Sequence, residues 1–381
     1  MPATHFDVIV AGLGAMGSAT AARLALRGRK VLGLDRWRPG HRYGSSHGDS
    51  RIIREMYFEN PLYVPIVQRA HELWREVEAR TGSKVMEITG GLMIGPEHGG
   101  LVSGTLRSAK EHALECEVLD GAQVTQRFPA FRLRDGDVAV HDPRAGYLNP
   151  EAGNAAHLQI AAGAGAELRF DQPVEKWEAA GEGVKVWTPF GAYSGDRLVI
   201  SAGARNPELL GDLDLNLEVE RQAVFWLDAG ADPAYDSPAL PIWAHEYIPG
   251  GICYGFPRLA RGVKASVMHA GEILSDADAA NREVGPDEVE PVRRALAGVL
   301  PGLAGAGVID SDVCLFTNTR DHDFIIDFHP DHPQVLISSA CSGHGFKFAS
   351  AIGEIQADLI AEGESRFDMS PFSISRVKLR H

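Results

Sequence analysis

Cysteine is scarce in this chain: four in 381 residues, at positions 116, 253, 314 and 341, with no CxxC pair and no grouping with histidine at metal-ligand spacing. That excludes a disulfide framework and a zinc-ribbon type of site, and it predicts a reducing, cytoplasmic compartment. Positive charge is also short, with 37 Lys and Arg against 51 Asp and Glu and a formal charge of −14. So acidic a chain argues against nucleic acid or an anionic membrane as partner. No apolar run approaches the roughly 18 residues of a membrane span. The first residues lack the basic-then-apolar pattern of a secretory leader, and "SRVKLRH" at the other end is not an SKL-type address. Repeats and low-complexity segments are missing too.

What the chain has in plenty is apolar residues, 44% of the total, enough for two or three domains. The stretch "FDVIVAGLGAMGSATAARLALRGRKVLGLD" sets a short β-branched run, Val8 to Val10, before Gly12, Gly14 and Gly17 and an Ala/Leu-rich helix. A second apolar run follows, Val31 to Leu34, and ends at Asp35. This is the βαβ dinucleotide fingerprint in its required context. Gly12 makes the tight turn, Gly14 lets backbone approach a pyrophosphate, and Gly17 lets helix and strand pack closely. The helix N-terminus offers amide donors and a positive dipole end to phosphate. Asp35, about 20 residues on, is the expected acceptor for ribose hydroxyls, and its charge argues against a 2′-phosphate. NAD and FAD share this fingerprint, so it leaves the cofactor open.

A Gly/Ser-rich loop, "RPGHRYGSSHGDSRIIREMY", then carries His47, Arg51 and Arg54 toward a helix. From Tyr63 the apolar Ile66, Val67, Ala70, Leu73, Trp74 and Val77 recur at helical spacing and belong to the core. "KVMEITGGLMIGP" predicts a strand pair around Gly90 and Gly91, where the chain leaves the nucleotide domain, and an Ala-rich helix and strand up to Phe170 return to it. In "DRLVISAGARNPELL" a strand, Leu198 to Ile200, ends in Ala202-Gly203 ahead of a helix. Gly203 is there either a second close approach to the cofactor or an ordinary tight turn. Residues 217 to 270, rich in Val, Phe, Trp and Tyr, predict an antiparallel sheet that roofs the cofactor and holds Tyr254, Lys264 and His269. Cys314, in "DSDVCLFTNTRDHDFIID", reads by itself as a small buried hydrophobe.

Five stretches in order, "FDVIVAGLGAMG", "GSSHGDSRIIR", "YGFP", "VCLFTNTRDHDFIID" and "SGHGFKFASAIGE", resemble the monomeric sarcosine oxidase and N-methyltryptophan oxidase family of D-amino-acid-oxidase-like flavoproteins, from about residue 5 to 375. The resemblance implies FAD, joined covalently through a thioether from Cys314 to the flavin 8α-methyl. It implies that Arg54 and Lys347 grip a substrate carboxylate, that Arg51 and His47 lie near the flavin ring, and that Tyr254 and His269 orient the substrate. Lys264 matches the lysine beside the flavin where oxygen reacts. Gly343 and Gly345, flanking His344, let backbone approach the ring. Met16, Ser46 and Val174 match further cofactor contacts, as does Lys347.

The chain departs from the family at Phe316, where sarcosine oxidase has tyrosine, and at Arg205, a usual tryptophan position. Its Lys264 to His269 spacing is one residue longer, and "WAHEYIPGG", 243 to 251, is a variable stretch expected to wall the pocket. The expected architecture is α/β: a Rossmann-type FAD-binding domain (1–85, 150–215 and 320–381) with an inserted substrate-binding domain (86–149 and 216–319) on a mainly antiparallel β-sheet. The expected activity is that of a monomeric oxidase taking a secondary amino acid, N-methyl or cyclic, to an imine, with molecular oxygen reduced to hydrogen peroxide. The rival readings are a dehydrogenase that passes electrons to a carrier, an NAD-dependent enzyme, and a non-catalytic flavin-binding subunit or sensor.

Overall fold

The computed structural model describes residues 5–378. Met1–Thr4 and Leu379–His381, the end of the stretch read above for an address, lie outside the described residues. The first strand, His5–Ala11, is almost wholly apolar and buried, as a strand covered on both faces must be. Behind it the helix Ala15–Leu26 buries Ala15, Gly17, Ala19, Ala21, Ala22 and Ala25, side chains too small to hold neighbours away. The closeness is real: a Cβ on Gly353, in the helix Ala349–Glu362, would stand 2.6 Å from Ala19.

Four strands lie parallel in the order Glu167–Arg169, Val31–Leu34, His5–Ala11 and Gly191–Ile200, and His332–Ser339 adds a fifth parallel strand beside the last. The antiparallel strands Lys176–Ala180, Gly183–Thr188 and Ile325–His329 complete eight. A second sheet of nine strands is mainly antiparallel, its one parallel pair being Ile242–Ile248 with Gly91–Pro96. Here Val308–Asn318 runs along Glu218–Leu227, and Gly251–Leu259 and Gly262–Val267 form a hairpin. The fold is therefore α/β, a Rossmann-like sheet joined to a mainly antiparallel one.

Two local expectations change. The strands expected to pair around Gly90 and Gly91 both form, but in different sheets: Met86–Ile88 pairs with Gly146–Leu148, and Gly91–Pro96 with Asp137–Asp142. Gly90, at φ +73°, turns the chain across instead of back. The Arg51 to Arg54 loop also contains a short strand, Arg51–Ile53, on the other side of Gly146–Leu148. This three-stranded patch holds the arginine segment in place. The helix read from Tyr63 spans Val64–Thr81 and buries all six apolar positions named above.

Candidate active site

Binding in parallel α/β sheets concentrates at the carboxyl ends of the strands. Gly12 lies there at φ +92°, and a Cβ on it would stand 2.4 Å from the Ser201 carbonyl oxygen. Gly17 packs equally hard, its imagined Cβ 1.8 Å from the Gly12 oxygen. The helix that follows has no side-chain cap on its N-terminal residue, Gly14, and no acid in its first turn. Among the described side chains Ser46 Oγ meets that end, accepting from the Ala15 amide at 3.2 Å. An uncapped helix start beside glycine fits a dinucleotide phosphate. Asp35 accepts from the Leu13 amide at 2.7 Å and the Trp37 amide at 2.8 Å. Burial raises its carboxyl above the ordinary value, against the downward pull of those amides.

These residues open into a cleft of about 520 Å³ that continues between the sheets. It brings together Gly12, Gly14, Met16, Asp35, Ser46, Val174 and Gly203 with Arg51, Arg54, Tyr254, Cys314, Gly343, Gly345 and Lys347. Gly17, His47, Lys264 and His269 stand behind its wall. Phe316 and Arg205 line it, Arg205 also pairing with Glu208 and Asp278. Of the 243 to 251 stretch only Ala244 reaches the cleft, because Trp243 and His245 alternate into the core.

Cys314 is 2% exposed, and the Arg51 guanidinium donates to its sulfur at 3.2 Å. Burial alone would raise the thiol, but Arg51 and His47 outweigh it and bring it down to about 6. His47 runs the other way, its burial outweighed by Cys314 and Asp312, and rises to about 9. Lys264 Nζ donates to the Gly48 and Ser50 carbonyls at 2.6 and 2.9 Å. Burial, then Arg51, lowers that ammonium to about 7.

At a second point Arg54 donates to both oxygens of Glu59, at 2.9 and 2.7 Å, and lies 4.3 Å from the Tyr57 ring centre. Lys347 Nζ donates to the His344 carbonyl at 2.7 Å and to the Tyr57 hydroxyl at 3.4 Å. Burial and Arg54 lower it to about 7. Tyr254 is pushed up to about 12 by burial and is a neutral phenol. His269, at φ +51°, bonds Glu220 at 3.0 Å and sits behind Phe316 and Gly343.

Sequence reasoning passed over Glu59, Tyr57 and Asp312. Nothing periodic marks the first two, which lie in a loop. Asp312 was findable, since its spacing of two from Cys314 puts both on one face of a strand.

The model of the FAD dependent oxidoreductase family matches residues 7–359. The chain belongs to that family. It is 39% identical over 378 residues to monomeric sarcosine oxidase of Streptomyces avermitilis, covering 98% of each chain. It is 33% identical over 375 residues to N-methyl-L-tryptophan oxidase of Yersinia pestis, covering 98% of this chain and 100% of that one. The crystal structure of L-proline dehydrogenase from P. horikoshii matches the fold with a TM-score of 0.86 at 18% identity, over 99% of each chain. This FAD dependent oxidoreductase is thus an enzyme whose cofactor-binding features, the Gly12 turn, the uncapped helix and Asp35, fit FAD.

Proposed function

We propose that this FAD dependent oxidoreductase oxidises a small secondary amino acid, N-methyl or cyclic, to an imine that water hydrolyses, and reduces oxygen to hydrogen peroxide. The observation that carries the reading is the meeting of Arg54 and Lys347 in the cleft that also holds Arg51 and Cys314. Two cations beside an apolar wall suit a carboxylate whose neighbouring carbon must be held still; the names of the relatives point to the same substrates. When bound, FAD supplies the two-electron acceptor that takes hydride from that carbon and passes electrons to oxygen.

The protein contributes position and charge. Arg54 offers paired donors and Lys347 a point charge to the carboxylate. Glu59 is an internal carboxylate already on Arg54, so the substrate's carboxylate takes over one of its contacts. Tyr254 offers a hydroxyl to the substrate, while Ile52, Phe256, Met268 and Phe316 exclude water from the reacting carbon. Cys314, as thiolate, is the point of covalent attachment, and Lys264 stabilises the negative charge that develops as oxygen is reduced. In this reading the eight-stranded sheet, within 1–85, 150–215 and 320–381, carries the cofactor. The nine-stranded sheet, within 86–149 and 216–319, carries the substrate wall. The enzyme is taken as a monomer, and as cytoplasmic, the latter in keeping with four free cysteines.

The test is peroxide release from a panel of secondary amino acids, with anaerobic bleaching of the flavin scored in parallel. Bleaching without peroxide would replace the oxidase by a dehydrogenase, and neither signal with any secondary amino acid would overturn the substrate class.

A further inference from the structure

Asp312 stands two residues before Cys314 on the strand Val308–Asn318, and the register with Glu218–Leu227 sets them opposite Val224 and Gln222. Both therefore face the same way. His47, 1% exposed, lies against this face with both ring nitrogens engaged. Nδ1 is 3.2 Å from Asp312 Oδ2, and Nε2 is 3.2 Å from the Gly44 carbonyl oxygen. Neither partner has a proton to give. A neutral imidazole has one N–H and would leave one of these contacts with two lone pairs facing each other. Only the imidazolium satisfies both, so the geometry calls for a cation.

We propose that Asp312 is a positioning residue for Cys314: it holds His47, whose carbonyl oxygen lies 4.0 Å from the sulfur, as an imidazolium near the thiol, so that the sulfur is a thiolate before flavin is attached. Arg51 supplies the first cation, at 3.2 Å from the sulfur. His47 supplies a second whose charge, unlike that of a guanidinium, needs an anion to keep it. Asp312 is well placed for that, with Oδ1 held by the Val313 amide at 2.9 Å and Oδ2 shared with Arg42 Nε at 2.9 Å. Other groups acting on this centre are His41, the Lys264 ammonium, the neutral Tyr254 hydroxyl, Arg282, Asp49 and Glu151. The low thiol value and the raised imidazole value agree with the geometry.

The inference rests on Cys314 as the attachment point. Attachment forms one carbon–sulfur bond at the flavin 8α carbon and releases the thiol proton and one 8α proton. The two electrons left behind go to oxygen, which takes both protons and leaves as hydrogen peroxide. Asp312 acts in this once per chain, by lowering the cost of losing the first proton.

The experiment follows Cys314 in apoprotein by iodoacetamide labelling and peptide mass spectrometry across pH, then follows acid-stable flavin after FAD is added. Wild type is expected to label half-maximally near pH 6. In Asp312→Asn the profile moves up by about two units, and flavin attachment at pH 7 slows by about 10-fold and recovers at about pH 9. Asp312→Glu, which keeps the charge, should restore both. The His47 Cε1 proton followed by NMR should titrate lower in Asp312→Asn, a readout that needs no flavin. An unchanged labelling profile, or attachment lost equally at every pH, overturns the proposal. A wild type that labels at low pH yet never holds acid-stable flavin refutes the attachment reading and leaves the role of Asp312 standing.

Discussion

Two arginine–lysine pairs serve the cleft: Arg51 with Lys264, which stands behind the wall, and Arg54 with Lys347, both in the lining. In each pair burial lowers the lysine to about 7, yet the two regions are built for different work. Around Arg51 the countercharge is a thiolate, and Lys264 is held by two backbone carbonyls behind the wall. Around Arg54 the countercharge is the side-chain carboxylate of Glu59, and Lys347 faces the cleft. The lesson is that residue type does not assign a role; the partner does. A cation on backbone carbonyls is fixed in place, whereas a cation on a side-chain carboxylate can exchange that carboxylate for another.

Removing the thiolate should give the largest effect. Cys314→Ser is expected to lose all acid-stable flavin, read as colour in the acid precipitate, with FAD held noncovalently at best. Colour retained in the precipitate would move the attachment to another residue. Lys264→Met comes next: reoxidation by oxygen should slow by about 10²–10³, as when one electrostatic donor is lost, while reduction by substrate changes far less. Stopped-flow spectroscopy separates the halves, and equal slowing of both would erase the distinction between the pairs.

Arg54→Ala and Lys347→Ala should each weaken inhibition by simple carboxylates by about 10- to 100-fold, the size of a charged hydrogen bond of about 1.5–3 kcal/mol. The Lys347 contribution should depend on pH. Its value is lowered to about 7, so the ammonium is present below that and lost above it. Carboxylate inhibition is expected to weaken as pH rises through about 7 in wild type, and Lys347→Met should remove that slope. The smallest effect should come from Glu59→Gln, which takes the resident charge off Arg54 and tightens the same inhibitors by a few-fold. Weaker inhibition instead would make Glu59 a fixed support and the two arginines alike.

Much of this was legible beforehand because its signals are local. The turn at Gly12, the uncapped helix and Asp35 fall within 24 residues of one another, and hydrophobic pattern and glycine geometry act at that range. Failure came where the chain had to choose among distant partners. The strands either side of Gly90 were both foreseen, but their pairing with Gly146–Leu148 and Asp137–Asp142 is a tertiary choice. The "WAHEYIPGG" stretch was expected at the pocket wall, yet strand alternation sends only Ala244 there.

The cysteines show the division most clearly. By sequence alone Cys253 and Cys314 are the same object, a thiol in an apolar strand that should be buried, and both are. Burial with no cation nearby drives the Cys253 thiol well above its ordinary value. Cys314 goes the other way only because the fold brings Arg51 and His47 from more than 260 positions away to its sulfur. Sequence by itself determined the dinucleotide strand, turn and helix, because backbone geometry and periodicity are set by near neighbours. Which thiol is drawn toward the thiolate and which arginine meets a side-chain carboxylate was decided by tertiary structure, because electrostatic energy depends on distance in space and on the water that folding removes.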